Sequence, residues 1–349
     1  MFRWQISDKT EKNFLKENLK RHKPTLKNFL IKIMLLLASN QHLIWIKIIT
    51  LPVFFLGYIG QSSILSKVKL LQLPIAYYYL KKYYYFFEKG LIRQAYISKN
   101  HSLLIVYDQA LDLRKIEIEN YLKIISTTEE DKYILARALI VNKNYKVAIF
   151  GTHATNQEIM KSIEEFDMLI IIKPKSDFNI SHLPKLEKLV MYYNYNDSLR
   201  HKDKIAYFAS NKIKILTAPN TRKESNSFFN TMSLAEPIFS ASPLALHGII
   251  NTLVLMGVPK IKLFGFDFYM GDKIYSENYP SGLKQENGKV NYKYFLYGLA
   301  RHDILFNFCL LKKMIQQYNI ETDEHLAYIR DMSADTYLDL FEKKYGKNE

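Results

Sequence analysis

"YKVAIFGTHATNQEIMKSI", residues 145–163, decides the fold. Val147 to Phe150 is a short, continuous apolar run, the pattern of a strand buried on both faces. Gly151 permits a tight turn, and any of Thr152, Thr155 or Asn156 can cap the helix that the following spacing predicts. The alternation continues downstream. "FDMLIIIKP" (166–174), "EKLVMYYN" (187–194) and "NKIKILTAP" (211–219) read as further strands. "SPLALHGIINTLVLMG" (242–257) reads as an apolar helix ending at Gly257, and "KIKLFGFDF" (260–268) as the strand after it. Short apolar strands alternating with helices predict an α/β fold: a mostly parallel, Rossmann-like sheet with helices on both faces.

Ligands of an open parallel sheet bind beyond the carboxyl ends of its strands. Two of those ends are polar here. One is Gly151-Thr152-His153-Ala154-Thr155-Asn156; the other runs Gly265-Phe266-Asp267-Phe268-Tyr269 and on through Asp272 to Tyr275. The first offers backbone N–H groups at a helix N-terminus, which suit a phosphate. It is neither a GxGxxG nor a Walker A loop, so a nicotinamide enzyme and a P-loop NTPase are not indicated. No cofactor is expected.

A boundary near Lys143 separates two regions. Residues 1–143 are basic, hydrophobic and mainly helical in pattern; residues 144–349 carry the Rossmann-like domain. Of the net charge of +15, residues 1–100 hold +13, from 17 Lys and Arg against 4 Asp and Glu. Charge so confined gives no ground for nucleic-acid binding by the whole chain. Residues 28–60 and "PIAYYYLKKYYYFFEKG" (74–90) are apolar and aromatic. Leu43 to Gly60 approaches the ~20 residues that span a bilayer, but Lys47 and Pro52 interrupt it. The region reads as lying on an anionic membrane surface, lysines snorkelling and tyrosines at headgroup level. Equally, it reads as helices packed on the second domain. Leu103 to Tyr107 reads as an edge strand, and residues 115–144 have helical spacing over most of their length. The apolar fraction of 48% excludes a disordered chain, and the single cysteine, Cys309, excludes an intramolecular disulfide. Charges throughout Met1–Lys20 exclude a secretory signal there, so a cytoplasmic location is expected, peripheral on the inner membrane face.

The order helix–Gly–strand–"GFDFY"–"GDKIY", with "ARHDILFNFCLLKKM" (300–314) further on, resembles the bacterial sialyltransferases of glycosyltransferase family 42 over roughly residues 145–320. The resemblance implies a nucleotide-activated donor, CMP-sialic acid or a relative, and a cell-surface glycan acceptor. It implies that Tyr275, with Tyr279 as a second, reaches the donor phosphate, and that His302 is the base. Gly151, Thr152, His153, Asn156, Ser242, Gly265, Asp267 and Tyr269 are then the donor-binding residues. The sequence also departs from that pattern. Gly-Asn-Gly-Pro-Ser has become Gly151-Thr152-His153-Ala154-Thr155; Lys173-Pro174 stands where an asparagine is expected; and residues 231–247 lack the arginine usual before GFDFY. An altered donor, or a silent protein that keeps the fold, accounts for these changes.

The chemistry follows from the residue types. An acceptor hydroxyl must lose a proton as it attacks, and a histidine with an ordinary pKa near 6.5 suits that task. His302 also reads as a surface or capping residue, and Asp303 as the cap of a helix over 304–318. Tyrosine hydroxyls can stabilise a departing phosphate. No two aspartates stand two apart, so the DxD metal signal is absent and a metal-independent reaction is expected. Asp267 reads either as a donor contact or as a partner for the backbone of its own loop. His153 reads as a phosphate or base contact or as an incidental loop residue, and His247 as a core histidine. "YYNYND" (192–197) reads as a sugar pocket or a solvated loop.

Overall fold

Alternate residues of the central strands face different cores. Val147 and Ile149 pack in one hydrophobic cluster, Ala148 and Phe150 in another, and all four are fully buried. They belong to β1 (Lys146–Phe150). β2 (Met168–Ile172), β3 (Leu189–Tyr193), β4 (Lys214–Thr217), β5 (Lys260–Phe264) and β6 (Glu321–Thr322) complete one sheet. Its order is β4-β3-β2-β1-β5-β6, and every pairing is parallel. The expected α/β architecture is thus present. The computed structural model describes residues 51–58, 69–107, 144–174, 178–193, 201–217, 244–255, 257–271 and 292–346.

One face of the sheet is covered by α4 (Asn156–Glu165) and α5 (Lys202–Ser210), whose Ile159, Ile163 and Phe208 meet Leu169, Leu189 and Met191. The other is covered by α6 (Ala245–Leu255), α7 (Tyr292–His302), α8 (Ile304–Tyr318), α9 (Glu324–Asp331) and α10 (Ala334–Tyr345). Among the described residues three helices precede the sheet: α1 (51–58), α2 (Lys69–Glu88) and α3 (Ile92–Tyr107). α2 and α3 add their rings to the second core. Tyr83 lies edge-on to Phe87 (5.6 Å between centroids) and Tyr96 (5.7 Å), and Phe87 packs on Phe341 at 6.3 Å. The described helices of the first region therefore share a core with the sheet, as the packing alternative requires.

Leu103–Tyr107 is not an edge strand. It is the end of α3, a continuous helix in which Ser98, Lys99 and Ser102 are buried at helical spacing. A five-residue apolar run cannot distinguish the two by itself. Residues 115–143 lie outside the described residues. No helix among the described residues is long and apolar enough to cross a membrane.

Strand order decides where a ligand can sit. The chain steps outward from β1 to β4, then returns to place β5 on the other side of β1. The topological switch point lies between β1 and β5, at their carboxyl ends.

Candidate functional site

The turns leaving β1 and β5 interlock. The Gly151 N–H donates to Phe264 O (2.8 Å) and the His153 N–H to Gly265 O (3.1 Å). A Cβ on Gly151 would lie 2.4 Å from Gly265 O, and one on Gly265 2.1 Å from Ala154 N. Gly265 is also left-handed, at φ +65°. Both glycines therefore serve the approach of one turn to the other. Thr155 is the cap of α4: its Oγ1 accepts from the Glu158 N–H (3.2 Å), while Glu158 Oε2 accepts from the Thr155 N–H (2.7 Å), a capping box. Thr152 is half-buried, and Asn156 is the exposed first residue of α4.

Asp267 serves both turns. Its Oδ1 accepts from the Tyr269 N–H (2.9 Å), and its Oδ2 from the Gly271 N–H (3.0 Å). The same Oδ2 lies 3.0 Å from His153 Nε2. Burial alone would raise this carboxyl's pKa. The His153 ring and the two N–H groups outweigh burial and hold it below the ordinary value. Phe268 (φ 48°) and Tyr269 (φ 66°) are consecutive left-handed residues, which bulky side chains rarely adopt. Two buried hydroxyls pin them: Tyr337 donates to Phe268 O (3.1 Å) and Tyr345 to Tyr269 O (2.5 Å). Asp323 fastens the strand end, accepting from the Gly265 N–H (2.6 Å) while capping α9.

The third component is the break between α7 and α8. His302 ends α7, and Asp303, left-handed at φ 44°, caps α8 through the Phe306 N–H (3.0 Å). Asp303 is fully buried. Its Oδ2 accepts from Lys99 Nζ (2.6 Å) and its Oδ1 from Tyr96 Oη (3.0 Å), both on α3. Tyr96 Oη in turn accepts from the Leu305 N–H (3.1 Å). Asn307 ties the break to α6: its Oδ1 accepts from the Leu244 N–H (2.8 Å), and its Nδ2 donates to His302 O. His247, buried on α6, places Nε2 2.9 Å from Asn307 O. A carbonyl only accepts, so that nitrogen carries the ring proton. Burial foremost, with the charge of nearby His302 adding to it, pushes the His247 pKa down to about 4.

Topology puts these parts on one side of the molecule. α8 leads through Asn319 into β6, the strand it precedes, and α6 leads into β5 in the same way. In parallel α/β connections each helix runs back against its strands, so the N-termini of α6 and α8 lie at the carboxyl edge of the sheet. His302 is thus on the same side as the two interlocked turns. Gly151, Thr152, His153, Asn156, Gly265, Asp267 and Tyr269 gather at the switch point itself. Tyr275, Tyr279 and Ser242 lie outside the described residues, as does residues 194–197 of the asparagine-rich segment.

Residue types alone did not reveal the partners. Lys99, Tyr96, Asp323, Tyr337 and Tyr345 are ordinary helix and loop residues in the sequence; only the fold brings them to the site. The His153–Asp267 pairing joins two residues named separately from their strand-end positions. Among the described residues no three His, Cys, Asp or Glu side chains gather as a metal site. No protein-family model, curated protein or solved structure matches this chain.

Proposed function

We propose that this protein is a glycosyltransferase, sialyltransferase-like, that moves a sugar from a CMP-activated or other nucleotide-activated donor to a cell-surface glycan at the inner membrane face. The observation that carries the proposal is the Asp267–His153 contact at the switch point, with His302 on the same side. Asp267 Oδ2 stands 3.0 Å from His153 Nε2 at ion-pair distance, and the His153 side chain keeps 23% of its surface exposed toward a ligand. The capping box takes up two donors of the first turn of α4 and leaves the amides of Asn156 and Gln157 for the donor phosphate. In this reading His302 accepts the proton of the attacking hydroxyl, and Tyr275 and Tyr279 donate to the departing phosphate, with no metal required.

Three observations favour a second reading, a silent binding or assembly protein in surface-polysaccharide synthesis. Both glycines are filled by the opposing turn, both Asp267 oxygens have partners, and Glu158 places a carboxylate at the phosphate-facing helix end. Incubation of the purified chain with CMP- and UDP-activated sugars separates the two. Slow release of free nucleotide is expected, and His302→Ala should cut transfer at least ~100-fold with donor binding kept. Absence of both nucleotide binding and hydrolysis would leave the silent reading standing.

A further inference from the structure

α1, "LPVFFLGY", is apolar on both of its sides, and among the described residues only one side is covered. Phe54 packs on Tyr78 with 5.2 Å between ring centroids, and Gly57 closes on α2 so tightly that a Cβ would lie 2.1 Å from Pro74 O. Around the rest of the helix Leu51, Phe55, Leu56 and Tyr58 are each 50–57% exposed, and Val53 is exposed beside them. Contiguous exposed apolar surface of this kind marks an interaction site.

The rim of that patch is cationic. Lys81 Nζ lies 5.0 Å from the Phe54 ring centre, and Lys82 Nζ 5.2 Å from that of Tyr78, whose ring packs edge-on with that of Tyr58 at 5.9 Å between centroids. Further along α2, exposed Tyr85 carries Lys89 Nζ at 5.8 Å. The surrounding sequence has one sign only: between Glu17 and Glu88 there is no acidic residue, and there are ten Lys and Arg.

We propose that the outer side of α1 docks on an anionic membrane surface. Leu51, Phe55, Leu56 and Tyr58 enter the headgroup–acyl boundary, and Lys81 and Lys82 meet lipid phosphates at its edge. Charge complementarity selects this occupant: a second copy of the chain would bring two cationic rims together, whereas anionic lipid satisfies the apolar patch and its rim at once. The inference rests on the membrane-face part of the proposed function and on none of its chemistry.

The test uses the full chain and sedimentation with vesicles of phosphatidylcholine alone or mixed with phosphatidylglycerol. The wild type should bind the mixed vesicles and release as salt is raised. Phe55→Asp/Leu56→Asp should weaken binding at least ~10-fold, and Lys81→Gln/Lys82→Gln about fivefold per lysine on anionic vesicles only. Melting curves check the fold; if the aspartate pair lowers the melting temperature, Leu51→Ser/Leu56→Ser replaces it. The proposal is overturned if the wild type ignores the mixed vesicles or the α1 variants bind as well as it does. It is equally overturned if the wild type is a dimer that these substitutions dissociate without changing vesicle binding. Hydrolysis of a soluble donor reports on the chemistry separately, so the two failures are distinguishable.

Discussion

Replacing Lys99 by methionine tests whether the first helices and the sheet domain form one energetic unit. Lys99 and Asp303 are separated by 204 residues, and their side chains are 3% and 0% exposed. Removing one partner of such a pair leaves a buried charge uncompensated, which costs about 3–5 kcal/mol. Here the Tyr96 hydroxyl and the Phe306 N–H still reach Asp303 Oδ1, so the lower figure of about 3 kcal/mol applies. An unfolding entropy of ~2.1 cal/mol/K per residue over 349 residues converts this to a fall of roughly 4 °C in melting temperature. Calorimetry on Lys99→Met, on Asp303→Asn and on the double variant measures it. Asparagine keeps the helix cap and tolerates the left-handed backbone. The double variant should therefore lose less than the two singles together, by at least ~1.5 kcal/mol of coupling. A shift below ~1 °C in Lys99→Met, or strict additivity, would refute the reasoning.

Gly265→Ala should cost about 3 kcal/mol, because a left-handed alanine costs ~1–2 kcal/mol and its Cβ would press on backbone rather than on a yielding side chain; denaturant melts give the value. His247 is neutral in the folded protein, with a pKa of about 4 against 6.5 when unfolded. The unfolded chain binds the extra proton between those values, so stability present above pH 6.5 is lost as the pH falls toward 4. The loss amounts to on the order of 3 kcal/mol. A His247→Gln variant should show a flatter acid limb in pH-dependent unfolding, and an unchanged limb would count against the buried neutral ring.

The central strands β1 and β2 were legible because burial on both faces leaves a nearly continuous apolar run. "KVAIF" and "MLIII" read as strands, and both are. β6 was not legible: two residues, Glu321 and Thr322, carry no periodicity and are ordered by pairing with Lys262 and Leu263. The end of α3 failed for the opposite reason, since "LLIVY" is apolar at every position and suits either element. At the site, Asp303 was legible as a cap because capping is local. Its pairing with Lys99 was not, since no pattern in either segment encodes a contact made only when two distant helices meet. The same limit applies to Asp267. Its bonds to the Tyr269 and Gly271 amides follow from turn chemistry, but its contact with His153 follows only from β1 and β5 being neighbours.

The left-handed residues separate structural turns from something more. Lys212 and Asn319 follow helices at the amino side of the sheet, where a left-handed residue commonly ends a helix. Lys173, Phe268, Tyr269 and Asp303 lie on the carboxyl side; Asp303 directly follows α7, whereas Lys173 follows β2 and Phe268 and Tyr269 follow β5, where no helix ends. A turn needed only to leave β5 would be met at lower cost by glycine. Instead two aromatic residues are held in a disfavoured conformation by Asp267, Tyr337 and Tyr345, and the Asp303 break is held by Lys99 and Tyr96. Strain of this kind persists only where surrounding structure over-determines it, and it concentrates at ligand sites. The strained residues after β5 and the groups that hold them, from the β5 turn and α10, thus lie on the carboxyl edge, where the proposed site stands.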